Sequence, residues 1–306
     1  MKNAPATLLR VKSITEQHQL LALPKPAHPL VSLVRFEDFP LIPNEGTVRL
    51  TLDFYSVTLK CHCDCKVQYG QTPYDFNEGV MSFVAPEQVL TQKGDLVPPA
   101  SGWLLAFHPD FIRTYPLGQK INEYGFFQYA VSEALLLSAT EEAALDSLFQ
   151  KMEHDYCLPI DKFSQDVLVA QLDLLLTYCN RYYERQFVTR KAPNNALLVR
   201  LEALLADYFN GNKLAEVGPP SVSYLAEQLH LSPKYLSDLL RQLTGQSAQQ
   251  HIQDKLLEKA KNLLTTTNLS VSEIAFQLGF GYAQSFSKLF KNKTSLSPLE
   301  FRQSFN

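Results

Sequence analysis

Five consecutive residues, Cys61-His62-Cys63-Asp64-Cys65, hold three of the chain's five cysteines beside an imidazole and a carboxylate. Such groups are the donors of zinc sites, and clustered thiols are the reactive groups of redox sensors. The backbone that carries them decides what they can do. In "LDFYSVTLKCHCDCKVQYG" the residues alternate as in a strand, so Cys61, Cys63 and Cys65 share one face and His62 and Asp64 the other. Same-face neighbours on a strand rising ~3.3 Å per residue sit about 7 Å apart. Two sulfurs bound to one tetrahedral zinc at ~2.3 Å must lie within roughly 4 Å of each other. A straight strand does not deliver that, and the C-x2-C turn of zinc knuckles is absent. The expectation is buried cysteines acting as small apolar residues, with no metal and no cofactor. A thiol-based redox response requires exposure and basic neighbours.

Enzymatic chemistry finds little to build on. His18, His28, His62, His108 and His154 are scattered, with no His-x-His pair of the kind that holds a metal in jelly-roll enzymes. No GxSxG elbow, P-loop or HExxH helix is present either. The chain is read as no enzyme. Aromatic residues Tyr69, Tyr74, Phe76, Phe83, Trp103 and Phe107 are suited to lining a small-molecule pocket, with Tyr69, Tyr74, Phe83 and Trp103 the chosen candidates. A closed apolar core would use the same residues.

These residues lie in a chain of 306, long enough for two domains with separate cores. No run of eighteen apolar residues is found, so no membrane span is expected. The first twenty residues lack the apolar core of a secretory signal, and five cysteines make a poor disulfide framework, which points to the cytoplasm. Short alternating runs broken by Gly, Pro, Asn and Asp continue to about Phe107. They predict a β-barrel to about residue 137, a cupin-like jelly roll. From about Glu141 the spacing turns helical. "TEEAALDSLFQKMEHDY" and "SQDVLVAQLDLLLTYCNRYYERQF" predict a helical hairpin over about 140–187. The second helix is apolar on more than one stripe (Val167, Leu168, Leu172, Leu175, Leu176, Cys179), so it should meet both the barrel and something else. "VTRKAPNN", Val188 to Asn195, reads as a linker. The fold class is thus α+β multidomain: a barrel with a helical hairpin over 1–190 and an all-α domain over 195–306.

The all-α stretch is internally duplicated. "SVSYLAEQLHLS" from Ser221 lies over "SVSEIAFQLGFG" from Ser270 at an offset of 49, and "LSDLLRQLTGQS" from Leu236 lies over "FSKLFKNKTSLS" from Phe286 at an offset of 50. Ten residues are identical in register, with one residue inserted near Gly281. Each copy has the grammar of a helix-turn-helix: a small residue, Ala226 or Ala275, where a second helix crosses, and a turn at His230–Ser232 or Gly279–Gly281. Ser232-Pro233 and Ser297-Pro298 place serine at the N-cap and proline at the first helical position, and Ser270/Glu273 and Ser297/Glu300 form capping boxes. Leu236, Leu239 and Leu240, or Phe286, Leu289 and Phe290, point to a core. The opposite faces are polar. Between the copies about sixteen helical residues span ~24 Å, a separation that suits two recognition helices roughly one DNA turn apart. Net charge is −3, yet Ser221 to Asn306 carries nine Lys/Arg against six Asp/Glu, a weak basic footprint.

Through "IAFQLGF", "FSKLFK" and "SPLEFR", the last 110 or so residues closely resemble the DNA-binding domain of AraC/XylS-type transcription regulators. The resemblance implies a regulator, an activator in many members, that binds asymmetric promoter sites on double-stranded DNA through an N-terminal sensor and dimerisation domain. The homodimer, a small-molecule effector and RNA polymerase are the partners that this plan implies, with no membrane. Carried over by position, base reading falls on Lys234, Ser237 and Asp238 in the first copy, and on Ala283, Gln284, Ser285, Ser287 and Lys288 in the second. Gln284 has the amide to pair with adenine N6/N7, and Lys288 the donor for guanine O6/N7. Arg241 and Lys291 lie one turn further on and suit phosphates. Two departures stand out. Asp238 occupies the place of Lys288, where a carboxylate either accepts from cytosine N4 or repels phosphate. Ser295 stands where the first copy has Gly245, which is expected to alter the turn before Ser297. The rival reading is a helical protein-interaction module on a barrel that senses redox or metal through Cys61, Cys63 and Cys65. It predicts no steep salt dependence of binding, whereas phosphate contacts demand one.

Overall fold

The computed structural model describes residues 8–40, 47–61, 66–69, 72–75, 79–93, 101–211 and 213–305. The chain divides into two compact units, 1–186 and 187–306.

Among the described residues, ten strands belong to the N-terminal unit: β1 (Leu8–Val11), β2 (Val31–Arg35), β3 (Thr47–Leu52), β4 (Tyr55–Cys61), β5 (Lys66–Tyr69), β6 (Thr72–Asp75), β7 (Val80–Val84), β8 (Val89–Lys93), β9 (Ser101–Phe107) and β10 (Leu135–Leu136). Its helices are α1 (Ile14–Leu20), α2 (Pro109–Ile112), α3 (Leu117–Lys120), α4 (Ala139–Cys157) and α5 (Ser164–Thr189). The expected closed barrel is not what the described strands form. They make a five-stranded antiparallel sheet of order β10-β7-β4-β9-β2, a three-stranded sheet of order β1-β3-β8 and the separate hairpin β5-β6. Within the three-stranded sheet β1 runs parallel to β3. The larger sheet is covered on both faces. Val84 and Ala106 pack with Val11, Ile14, Leu52 and Phe54 on one side. On the other, Trp103 stacks on Phe149 of α4 at 5.8 Å and Met81 meets Cys179 of α5 at 3.6 Å.

Polar pairs fix both helices on that face. Gln186 is fully buried, accepting from Leu136 N–H at 2.8 Å and donating to the Ala134 carbonyl at 3.3 Å. Arg35 forks onto Glu153 of α4 and lies 4.4 Å from the centre of the Trp103 ring. Ser138 and Glu141 close a capping box at the start of α4. The two apolar stripes expected along the second helix separate cleanly. Leu168, Leu172, Leu175, Leu176 and Cys179 are buried, while Val167 and Leu174 remain 42% and 46% exposed.

The C-terminal unit is all helical: α6 (Lys191–Asn210), α7 (Lys213–Val217), α8 (Val222–Leu229), α9 (Pro233–Thr244), α10 (Ala248–Thr266), α11 (Val271–Gln277), α12 (Ala283–Thr294) and α13 (Pro298–Gln303). Most of "VTRKAPNN", which adjoins the division between the units, is helical: α5 runs to Thr189 and α6 starts at Lys191. Pro193 falls in the first turn of α6, where no backbone N–H is needed. Buried Asn194 donates to the Phe187 carbonyl at 2.5 Å and secures the corner. Residues that usually mark a loop here mark one helix start. One core, from Leu201, Leu205 and Phe209 through Leu225, Leu236, Leu240, Ile252, Leu256, Ile274, Phe286 and Phe290, joins the two copies and α10.

Candidate nucleic-acid interface

The duplication read from the sequence extends to individual hydrogen bonds. His230 ends α8 at φ +58 and Gly279 follows α11 at φ +78, both in the left-handed region. The next residue closes each turn the same way: Leu231 N–H to the Ala226 carbonyl and Phe280 N–H to the Ala275 carbonyl, both at 2.9 Å. Ala226 and Ala275 are almost wholly buried where the second helix crosses. Past the recognition helices the copies still agree. The Thr244 hydroxyl donates to Leu240 O, and the Thr294 hydroxyl to Phe290 O, each at 2.8 Å. Gly245 and Ser295 then both turn left-handed, at φ +77 and +64 with ψ −1 in each. Ser295 thus holds the same conformation as Gly245, and the expected change in that turn does not occur. Capping boxes at Ser247/Gln250 and Ser297/Glu300 start the following helices.

This scaffold presents two faces. On α9, Tyr235, Leu236, Leu239 and Leu240 are fully buried, Lys234, Ser237 and Asp238 are half-buried and Arg241 is exposed. On α12, Phe286 and Phe290 are buried, and Gln284, Ser285, Lys288 and Lys291 are exposed. Ser287 is half-buried, and Ala283 packs partly against the core, leaving little of its methyl to reach outward. The faces differ electrostatically. Asp238 Oδ1 accepts from Lys234 Nζ at 2.9 Å and from Arg241 Nη1 at 3.0 Å. The Glu300 carboxyl is held below its usual value by the Ser297 hydroxyl and backbone, with a smaller contribution from Lys291. Glu273 is held down likewise by Ser270.

Several features escape a reading of motifs. Tyr282 stands at the N-cap of α12, where Ser232 caps α9, with no side-chain cap and 76% exposed. Phe276, beside the same turn, is also exposed. Arg302 donates to the carbonyls of Leu264 at 3.0 Å and Leu269 at 2.7 Å, tying α13 to the end of α10. Gly279 abuts Gly218, leaving no room for a side chain: a Cβ on Gly279 would fall 2.3 Å from Gly218 Cα. The Lys234–Asp238–Arg241 cluster was detectable, since spacings of four and three align side chains on a helix.

The N-terminal candidates are placed as follows. Tyr69 and Tyr74 lie on the β5-β6 hairpin, where backbone alone is described. Phe83 is buried against Phe126, Phe127 and Tyr183. Trp103 borders a cavity of about 600 Å³ with Arg35, Cys61, Ser101, Glu142 and Asp146. His62, Cys63, Asp64 and Cys65 are outside the described residues. Cys61, at the end of β4, is buried, and that burial, aided by Glu142 and Asp146, pushes its thiol up to about 12. This is an inert thiol, the reverse of a reactive one. Among the described residues no three His, Cys, Asp or Glu side chains converge on a metal site, and no described helix is long and apolar enough to cross a membrane.

Residues 225–304 match the family pattern described as a helix-turn-helix domain. The HTH-type transcriptional activator RhaS of Salmonella dublin is 26% identical over 279 residues, 86% of this chain and 90% of that protein. RhaS of Salmonella newport is 35% identical over 141 residues, 46% of each chain, so this likeness spans about half the relative's length. The C-terminal domain of the two-component response regulator yesN from Fusobacterium nucleatum is 32% identical, covering 33% of this chain and 96% of that one, at a TM-score of 0.29. That superposition is too poor to bear on the fold. A duplicated helix-turn-helix with two outward polar faces defines a DNA-binding protein. Residues 225–304 thus carry a helix-turn-helix domain of the kind found in AraC/XylS-type transcription regulators.

Proposed function

We propose that the chain is a one-component transcription regulator of the cytoplasm whose two helix-turn-helix copies lay α9 and α12 in successive major grooves of promoter DNA. The observation that carries this reading is the repetition of one hydrogen-bonded scaffold, from the left-handed turns at His230 and Gly279 to the threonine bonds at Thr244 and Thr294. The nineteen residues of α10 between the copies span about 28 Å at ~1.5 Å per residue, which suits two contacts roughly one helical turn of DNA apart. Gln284 and Lys288 read bases in the second groove, and Lys291 holds phosphate. Selection from random duplex DNA with residues 187–306, which carry their own core, tests this. The expected product is a site with two patches about one turn apart, lost in Gln284→Ala or Lys288→Ala. No enrichment at any salt concentration removes the reading.

The N-terminal unit serves sensing and dimerisation in this proposal. The cavity beside Trp103 supplies a place for a small effector. The exposed stripe of Val167 and Leu174 on α5, with Phe163 just before the helix, supplies an apolar face for a second copy. RhaS is named an activator, and activation through RNA polymerase is the corresponding role here. Calorimetry of the chain against a small-molecule library tests the sensor: a compound that raises the N-terminal melting temperature supports it, and none at any concentration counts against it.

A further inference from the structure

The two recognition helices carry the same scaffold and opposite charge logic. Counting along the duplication, Lys234, Asp238 and Arg241 of α9 occupy the places of Gln284, Lys288 and Lys291 of α12. On α12 two lysines project from an exposed face. On α9 two cations turn inward along the helix and share one carboxylate oxygen: Lys234 Nζ and Arg241 Nη1 both donate to Asp238 Oδ1, at 2.9 and 3.0 Å. Asp238 is the least exposed of the three, its side chain 17% accessible against 35% for Lys234 and 57% for Arg241. The acid therefore sits beneath the cations and holds both heads over itself. A cation committed to a carboxylate on its own helix must leave that partner before it neutralises a phosphate, and phosphate neutralisation is what makes DNA binding strong and salt-dependent.

We infer that Asp238 is an attenuator of the first helix-turn-helix copy, withholding Lys234 and Arg241 from the DNA backbone. This rests on the DNA-binding reading above and adds a division of labour. The second copy reads bases and holds phosphate from the outset, while the first adds backbone contacts that form only where the groove fits well enough to draw its cations away from Asp238. The attenuator lowers affinity for all DNA and lowers it most for the wrong DNA. A hydrophobic or neutral residue at 238 would leave the same helix more adhesive and less selective. The structural warrant is the shared oxygen: one carboxylate compensates both cations, so a change at residue 238 acts on both at once.

The test uses the full chain, a duplex recovered by selection from a random pool and a scrambled duplex of equal length. Binding is measured from low to high salt for the wild type, Asp238→Asn, Lys234→Gln, the double variant and Lys288→Ala. Asn keeps the shape of Asp, and thermal melting checks that the fold is kept. Asp238→Asn is expected to bind both duplexes about tenfold more tightly, the scrambled one by the larger factor, since each exposed pair withholds up to about fivefold. It should steepen the salt dependence by about one to two units of slope, near 0.9 per phosphate gained. Lys234→Gln should leave the slope unchanged in the wild type and reduce it by about one unit in the Asn background. An unchanged slope in Asp238→Asn overturns the attenuator. So does weaker binding whose loss maps to one cytosine, which would make Asp238 a base reader. Loss of binding in Lys288→Ala with either of those results leaves the DNA-binding reading standing and the attenuator alone refuted. A wild type that binds neither duplex removes both.

Discussion

Replacing Ser295 by Gly should stabilise the C-terminal unit, and placing Ser at Gly245 should destabilise it. The two positions are counterparts, each following a recognition helix and each left-handed, at φ +64 and +77. A side chain in that region costs roughly 1–2 kcal/mol. Glycine gives back about 0.5–1 kcal/mol through its freer unfolded chain. The difference leaves a net gain of about 0.5–1 kcal/mol for Ser295→Gly. Nothing else changes at either place. The Ser295 side chain is exposed and makes no hydrogen bond among the described residues, and a Cβ on Gly245 meets no atom within 4 Å. Gly245→Ser should therefore lose the same amount through backbone strain alone. Scanning calorimetry of the full chain should show the C-terminal transition moving by about 2–6 °C in opposite directions. Hydrogen exchange in α12 and α13 should slow in the first variant and quicken in the second. The reasoning is refuted if Ser295→Gly leaves the transition unmoved or lowered, or if Gly245→Ser is silent.

Gly279→Ala should cost more than about 2 kcal/mol, because its Cβ would meet Gly218 Cα at 2.3 Å and Leu214 O at 2.7 Å, backbone atoms that cannot swing aside; a calorimetric loss well below that would show that α7 yields. Arg302→Ala removes two charge-assisted hydrogen bonds to Leu264 and Leu269 and should lower stability by about 2 kcal/mol, with Lys a poor substitute for the planar fork. Protection of the last turn of α10 against exchange is the readout. Among the described cysteines, alkylation of the native chain at mildly alkaline pH should label exposed Cys157 first and spare Cys61 and Cys179, whose thiols burial pushes upward; rapid labelling of Cys61 would revive a thiol sensor. Glu273 and Glu300 have folded values below their ordinary 4.5, so their capping contribution is full above 4.5 and lost as pH falls through the depressed values. Acid should lower the C-terminal melting temperature in that window, and Glu273→Gln with Glu300→Gln, which keep the capping box, should flatten the dependence.

The C-terminal unit was legible because its signals are local and repeated. Serine caps, Pro at the first helical position and buried Ala226 and Ala275 each act within one or two turns, so their spacing places α8, α9 and α11, and the repeat places α12. The Gly218–Gly279 contact was not, since nothing near either glycine in sequence announces the other. In the N-terminal unit alternation revealed strands and not their partners. The pairing of β1 with β3, or of β4 with both β7 and β9, joins segments dozens of residues apart, and a jelly roll is only one way to pair them. The same limit applies to the pocket candidates. Phe83 and Trp103 share a sheet face through register with β4, yet one is sealed among rings and the other borders a cavity. The helical turns within Val188–Asn195 were not legible because Pro and Asn serve a helix start as readily as a loop.

Trp103 is the chain's one tryptophan, and it lies in the N-terminal unit. Its indole is almost fully buried, stacked on Phe149, faced by Arg35 and bonded through Nε1 to Asp146 at 2.7 Å. The molecule consequently carries a native optical label on half of itself. Tryptophan emission should follow the packing of α4 on the sheet and shift to the red when that packing opens, while melting of the helix-turn-helix half passes unseen. Excited at the red edge, where tyrosine does not absorb, the protein reports its N-terminal unit against a dark helix-turn-helix unit, with no dye attached and no residue changed.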